Sequence, residues 1–311
     1  MPGGTMVDVC RSPIAMSTGE QRRQTSPAVS AGRGVSLPDG YEPLPHQVAG
    51  HLFTNGKLGM LRRCGDGTAV LKPVQRSPKG PRELQFYKEL SASQCRDELQ
   101  CLRPWVPQFH GVTDIVISDG IAERQQTFLL LEDLASTLPH ASVIDLKIGR
   151  RCWDESASSA KINAELAKYP QQEHIGYRIS AMRVFNRTKN EFKYYSKLYG
   201  LSLDECAVLD SLHAFFYDGV GQRADVIRNV LSQLQSLREV FLRQSAAHFY
   251  ASSLLIVYDG GLPASPATVK VKMIDFAHTF LVAGSGEQSL DENYLFGLTH
   301  LIESLSKLLE H

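Results

Sequence analysis

The sequence has no long apolar run: no stretch of its 311 residues approaches the roughly 18 to 20 consecutive apolar positions of a membrane-spanning helix. Its first residues lack the apolar centre of a signal peptide, so no stable membrane association is expected. It also lacks net charge. Lys plus Arg and Asp plus Glu number 33 each, which excludes a field over the whole molecule that would steer it to nucleic acid or to an acidic bilayer. Any anion site must be local. The six cysteines (Cys10, Cys64, Cys95, Cys101, Cys152 and Cys206) form no Cys-x-x-Cys pair and no compact cluster with histidine, which argues against a zinc site or a disulfide framework. They read as reduced thiols, and the expected compartments are nucleus and cytoplasm.

A hydrophobic content of 43% with 21% charged residues is that of an ordinary globular chain. Residues 1–40 are rich in Ser, Gly, Pro, Gln and Arg without apolar periodicity, and read as a tail with too little apolar surface to order. Two short apolar runs from Leu58 to Val74 flank Gly65-Asp66-Gly67 and predict a β-hairpin. Pro81 opens a helical pattern, and Val112–Ser118 with Thr127–Leu131 predict another antiparallel pair. A strand is expected over Ser142–Lys147. Helices are expected over Ser156–Tyr169, Asp204–Tyr217, Ala224–Ala247 and Asp291–Leu309, and strands over Phe249–Tyr258 and Thr268–Phe276. An α+β fold of two lobes, 41–135 and 136–311, or of two small domains would fit this order.

Asp145-Leu146-Lys147 puts a carboxylate and an ammonium two residues apart, on one face of a strand. Alone, this is commonly a surface ion pair. A second carboxylate, Asp275, ends the apolar run Met273-Ile274, a position suited to Mg2+ and equally to a turn or cap. Lys72, on the outgoing hairpin strand, and Glu83, in the following helix, could pair as in kinase folds or stay solvated.

Together these residues resemble the inositol polyphosphate kinase family, whose Asp-x-Lys-x-Gly hallmark is matched by Asp145, Lys147 and Gly149. Ser252-Ser253-Leu254-Leu255, Ile274-Asp275-Phe276, Gly80-Pro81-Arg82-Glu83 and His46-Gln47-Val48-Ala49-Gly50-His51 extend the resemblance in family order over residues 46–309. The His46 segment and the short stretch 153–175 resemble the multikinase branch, with the hexakisphosphate kinases as nearest rival. The resemblance implies a two-lobed kinase-like fold, a monomer, and ATP with Mg2+ as cofactors. It implies adenine bonding by the backbone of Glu132, Asp133 and Leu134, ribose bonding by Asp145, phosphate contact by Lys72 with Glu83, and metal ligation by Asp275. Catalytic roles fall on Lys147, Asp275 and Asp145.

For the inositol polyphosphate it implies a cradle of Lys79, Lys147, Lys161, Lys168, Arg183 and His278. Lys197 and Ala164 stand where relatives carry glutamines, and an ammonium at Lys197 favours more highly phosphorylated ligands. The blander reading of Lys161 and Lys168, seven apart on one helix face, is a solvated surface. The implied reaction carries inositol 1,4,5-trisphosphate to tetrakis- and pentakisphosphate through the 6- and 3-hydroxyls. The alternatives are a hexakisphosphate kinase making pyrophosphates or a non-catalytic inositol phosphate-binding scaffold. A phosphoinositide lipid headgroup would be an added substrate at most.

Overall fold

In the computed structural model, residues 36–50, 58–118, 122–265, 268–282 and 289–310 are described. Strand β1 (Tyr41–Pro43) pairs with β2 (Leu61–Arg63), and Gly65, at a φ of 76°, turns the chain into β3 (Asp66–Pro73). That φ lies in the left-handed region that glycine enters without steric cost, so the expected glycine turn forms where the sequence put it. Helix α1 (Lys79–Ser91), the single turn α2 (Asp97–Gln100) and a 3-10 turn (Arg103–Trp105) lead to β4 (Phe109–Ser118) and β5 (Glu123–Glu132). The first sheet runs β1-β2-β3-β5-β4.

The second half begins with β6 (Ala141–Ile148), α3 (Ser159–Lys168), α4 (Gln172–Ile175), β7 (Tyr177–Asn186) and β8 (Glu191–Tyr195). Helices α5 (Lys197–Ser202), α6 (Glu205–Phe215) and α7 (Ala224–Phe241) follow. The chain ends through β9 (Ala247–Phe249), β10 (Ser253–Asp259), β11 (Val269–Ile274), β12 (Thr279–Leu281) and α8 (Glu292–Lys307). The second sheet runs β11-β10-β6-β7-β8, all antiparallel.

Strand β6 is central and covered on both faces. Ile144, Leu146 and Ile148 enter the main core, where α7 contributes Val226, Ile227, Val230, Leu234, Leu237 and Phe241 at helical spacing. Burial of each such side chain is worth about 1.5–3 kcal/mol, an upper bound set by an extended unfolded chain. Val143, Asp145 and Lys147 point to the opposite face, because side chains alternate along a strand.

Several elements differ from the sequence expectation. Strands β7 and β8 were not foreseen, because β7 is buried on both faces, carries Arg178 and Arg183, and has no alternation to read. Helix α7 stops at Phe241, and the expected strand over Phe249–Tyr258 divides into β9 and β10 around Ala251, at a φ of 52°. Helix α3 starts at Ser159 because the Ser158 hydroxyl accepts the Lys161 amide at 3.3 Å. Of the expected tail 1–40, only 36–40 lie among the described residues. There Ser36 is already tied in, its amide donating to the Ser118 carbonyl at 2.7 Å. His51 lies outside the described residues.

Candidate active site

The Lys72 ammonium donates to Glu83 Oε1 at 2.7 Å and to Asp275 Oδ1 at 2.6 Å. The same Glu83 oxygen accepts the Phe276 amide at 3.0 Å. Strand β3, helix α1 and the end of β11 are thereby locked to one another. Asp275 itself sits at a φ of 65°, a region costly for a residue with a Cβ and maintained only where the surroundings over-determine it. Here the Lys72 and Glu83 bonds on either side of the peptide do so. Burial works against the charge on Lys72, yet Asp275 and Glu83 raise its pKa above the ordinary lysine value. Burial likewise opposes ionisation of Asp275, but Lys72 and Lys147 hold its carboxyl below the usual carboxylate range.

Asp145 and Lys147 share the opposite face of β6 from the core. Burial, and then the neighbouring Asp275 charge, push the Asp145 carboxyl up to about 6, while Lys147 and the Ser253 and Ser180 hydroxyls oppose the rise. Asp145 Oδ1 is buried with no hydrogen-bond partner among the described residues, which marks an atom expecting a ligand or water. The Lys147 ammonium donates to the Ala251 carbonyl at 2.5 Å. The Ser252 carbonyl accepts the Ile148 amide at 3.1 Å, and the Ser252 hydroxyl donates to the Ile274 carbonyl at 2.8 Å. The Ser-Ser motif therefore staples β6 to the strand that presents Asp275. Gly149 has a φ of 107°, and an added Cβ would lie 2.4 Å from Asn293 Nδ2, so a side chain at the last position of Asp-x-Lys-x-Gly would be strained and would have to displace Asn293.

At the junction after β5 the Glu132 amide donates to the Gln108 carbonyl at 2.8 Å and the Asp133 amide to the Thr68 carbonyl at 3.0 Å. The Asp133 carboxylate is buried, 2.9 Å from His46 Nε2, and accepts the Ala135 amide at 2.9 Å. Leu134 is buried beside it.

Cations gather in two neighbouring groups. Burial and then Lys79 and Lys161 push the His278 imidazole down to about 4, with Arg82 adding to them and Asp154 opposing. His278 Nδ1 stands 3.8 Å from Asp154 Oδ2. In the second group, Lys168 pairs with Glu165 at 3.3 Å. The Lys197 ammonium is depressed by burial and then by Lys168, Arg178 and Lys147. Lys161 and Lys168 are each half-buried, so their helix face is not simply a solvated one.

Arg183 is not among these cations. It lies level with Val143, four residues back along β6 from Lys147 and hence about 13 Å away along the strand. Its guanidinium donates to the Ala141 carbonyl at 2.8 and 3.2 Å and stacks over Phe192 at 4.2 Å. The expected cradle role for Arg183 is therefore corrected: the arginine opposite Lys147 is Arg178. Arg82 and Arg178 were both missed. In the sequence Arg82 stands out only within Gly80-Pro81-Arg82-Glu83, and without β7 the register of Arg178 is not legible.

The family model for inositol polyphosphate kinase matches residues 128–306. The chain belongs to the inositol polyphosphate kinase family. Human inositol polyphosphate multikinase is 33% identical over 306 residues, spanning 94% of this chain and 71% of the relative. Mouse inositol hexakisphosphate kinase 3 is 34% identical, over 60% of this chain and 52% of its own length, so the likeness to the human multikinase runs through more of the chain. The crystal structure of an inositol phosphate multikinase from S. cerevisiae, in complex with ADP and Mn2+, superposes with a TM-score of 0.61 at 22% identity. It covers 78% of this chain and 99% of its own. The two-lobed kinase-like architecture of this family is thus the fold of the chain.

Proposed function

We propose that the chain transfers a phosphoryl group from ATP to hydroxyls of soluble inositol polyphosphates, as a multikinase. The observation that carries this reading is the convergence of Lys72, Glu83, Asp275, Asp145 and Lys147 beside a separate cluster of cations. A non-catalytic scaffold has no use for a buried lysine held between two carboxylates next to a third.

The fit to a divalent cation rests on Asp275. Among the described residues no three His, Cys, Asp or Glu side chains group as a metal site, and Mg2+ needs none, since it commonly takes one or two carboxylates with water and phosphate oxygens. The Asp275 side chain is 36% exposed and kept anionic, so it would hold the ion, which when bound neutralises charge on the phosphates. Lys72, once released from Asp275, would contact the α- and β-phosphates. Asp145, whose buried Oδ1 has no hydrogen-bond partner among the described residues, would accept from the ribose hydroxyls. The Glu132 to Leu134 backbone, tied through the Glu132 and Asp133 amides to Gln108 and to Thr68 of β3, would meet the adenine edge. Lys147 lies between the carboxylates and the cations, where a fixed ammonium stabilises charge that develops in phosphoryl transfer.

Lys79, Lys161 and His278, with Lys168 and Lys197, would grip the substrate phosphates. The finer reading is that inositol 1,4,5-trisphosphate goes to the pentakisphosphate through the 6- and 3-hydroxyls. Purified protein with ATP, Mg2+ and a panel of inositol phosphates tests it, with products separated by anion exchange and mapped by NMR. Two added phosphates on ring hydroxyls are expected. Pyrophosphate products alone would replace the reading by a hexakisphosphate kinase, and no turnover on any member would leave a scaffold.

A further inference from the structure

Arg178 is buried, yet its Nη1 has no hydrogen-bond partner among the described residues. A guanidinium carries five donors, and leaving one of its nitrogens dry and unpaired is costly unless something anionic completes it. Its position follows from register. Arg178 on β7 faces Lys147 on β6, and Ser253 on β10 faces Lys147 from the other side, so all three project from one sheet face.

Helix α5 packs against β7 beside this point. Gly200 lies so near β7 that an added Cβ would be 2.0 Å from the Ile179 carbonyl, and Lys197, the first residue of the helix, stands close enough to Lys168, Arg178 and Lys147 for their charges to act on it. From the third side comes α3, whose Lys168 is paired to Glu165. The neighbouring Tyr169 hydroxyl is also buried, with no hydrogen-bond partner among the described residues. Burial opposes ionisation of Glu165, but Lys168, Arg178 and Lys161 keep its carboxyl below the usual range. Lys168, Arg178 and Lys161 thus act on the one Glu165 carboxylate, while Arg178 Nη1 and the Tyr169 hydroxyl have no hydrogen-bond partner among the described residues.

We propose that Arg178 binds an anionic group of the substrate directly, completing with Lys147, Lys168 and Lys197 a phosphate subsite in which Glu165 is the counter-charge that the incoming phosphate displaces. This rests on the inositol phosphate kinase reading and deepens it. Arginine suits the role because its planar fork can grip two phosphate oxygens at once, with charge-assisted bonds about twice as strong as neutral ones.

The test is direct binding, by calorimetry, of inositol 1,4,5-trisphosphate and, separately, of ATP to the full chain and its variants. Arg178→Gln is expected to weaken inositol trisphosphate binding by about tenfold or more, the equivalent of one charge-assisted bond. Its ATP affinity and melting temperature should stay at wild-type values. Arg178→Lys should recover part of the loss. Glu165→Gln, which removes the competing charge, should tighten inositol trisphosphate binding by about threefold. Unchanged inositol trisphosphate affinity in Arg178→Gln would overturn the proposal, and so would an equal loss for ATP, which a purely structural role produces. If Arg178→Gln does not fold, Glu165→Gln decides, and no gain in affinity sinks the idea. Failure of the kinase reading itself would look different: the wild-type chain would neither bind nor turn over any inositol phosphate.

Discussion

Lys72 Nζ lies 2.6 Å from Asp275 Oδ1, a contact between residues 203 positions apart in the chain. It joins the first sheet to the end of β11, and it occupies the carboxylate that a divalent ion would take. On the proposed reading, nucleotide and metal would compete for this contact, while Glu83, which bonds both Lys72 and the Phe276 amide, ties the two elements together independently of it.

Asp275→Asn should abolish turnover, by roughly a thousandfold in kcat, because it removes the anionic ligand while leaving the fold's hydrogen bonds largely intact. Steady-state kinetics alongside a thermal melt checks this. A variant with unaltered kcat would remove Asp275 from the site.

Lys147→Ala should lower kcat by about a hundredfold or more with ATP affinity within about twofold, the pattern of an interaction made mainly in the transition state. Kinetics combined with equilibrium nucleotide binding separates the two effects. Parallel loss of nucleotide binding would assign Lys147 to the nucleotide instead.

His278 gives a pH dependence with a definite sign. Its imidazole, held at about 4 by burial and by Lys79 and Lys161, is neutral at pH 7. A bound phosphate favours the protonated form, so binding takes up a proton and substrate affinity should strengthen as pH falls from about 7 toward about 5. The unliganded fold should lose stability over the same fall, because the unfolded histidine, at an ordinary 6.5, binds a proton that the folded one refuses. Calorimetry in buffers of different ionisation enthalpy reads the uptake, and His278→Asn should abolish it.

Gly149→Ala should destabilise the chain by about 2 kcal/mol, combining a positive φ with overpacking against Asn293. Chemical denaturation measures the loss. Wild-type stability would mean that Asn293 moves aside freely.

Much of the site was legible because its residue types stand in short, local patterns. Asp145 and Lys147 share a strand face by parity alone, Lys72 follows a glycine hairpin, and Asp275 ends an apolar run. Arg178 and Arg183 were not distinguishable in this way. Both are buried on one strand, and the register shift between Asp145 and Leu146 decides which residues of β7 stand opposite β6. That shift inserts a residue on β7, a bulge that local propensity does not reveal.

By itself the sequence determined the inventory of charges, the glycine turn, the main core helices and the family. Only the tertiary structure decided that Lys72 meets Asp275, that Asp275 adopts a left-handed backbone, and that Arg178 rather than Arg183 stands beside Lys147. The physical reason is range. Periodicity and turn chemistry act over a few residues, whereas these contacts are set by strand register and by the burial of unlike charges brought together from distant parts of the chain.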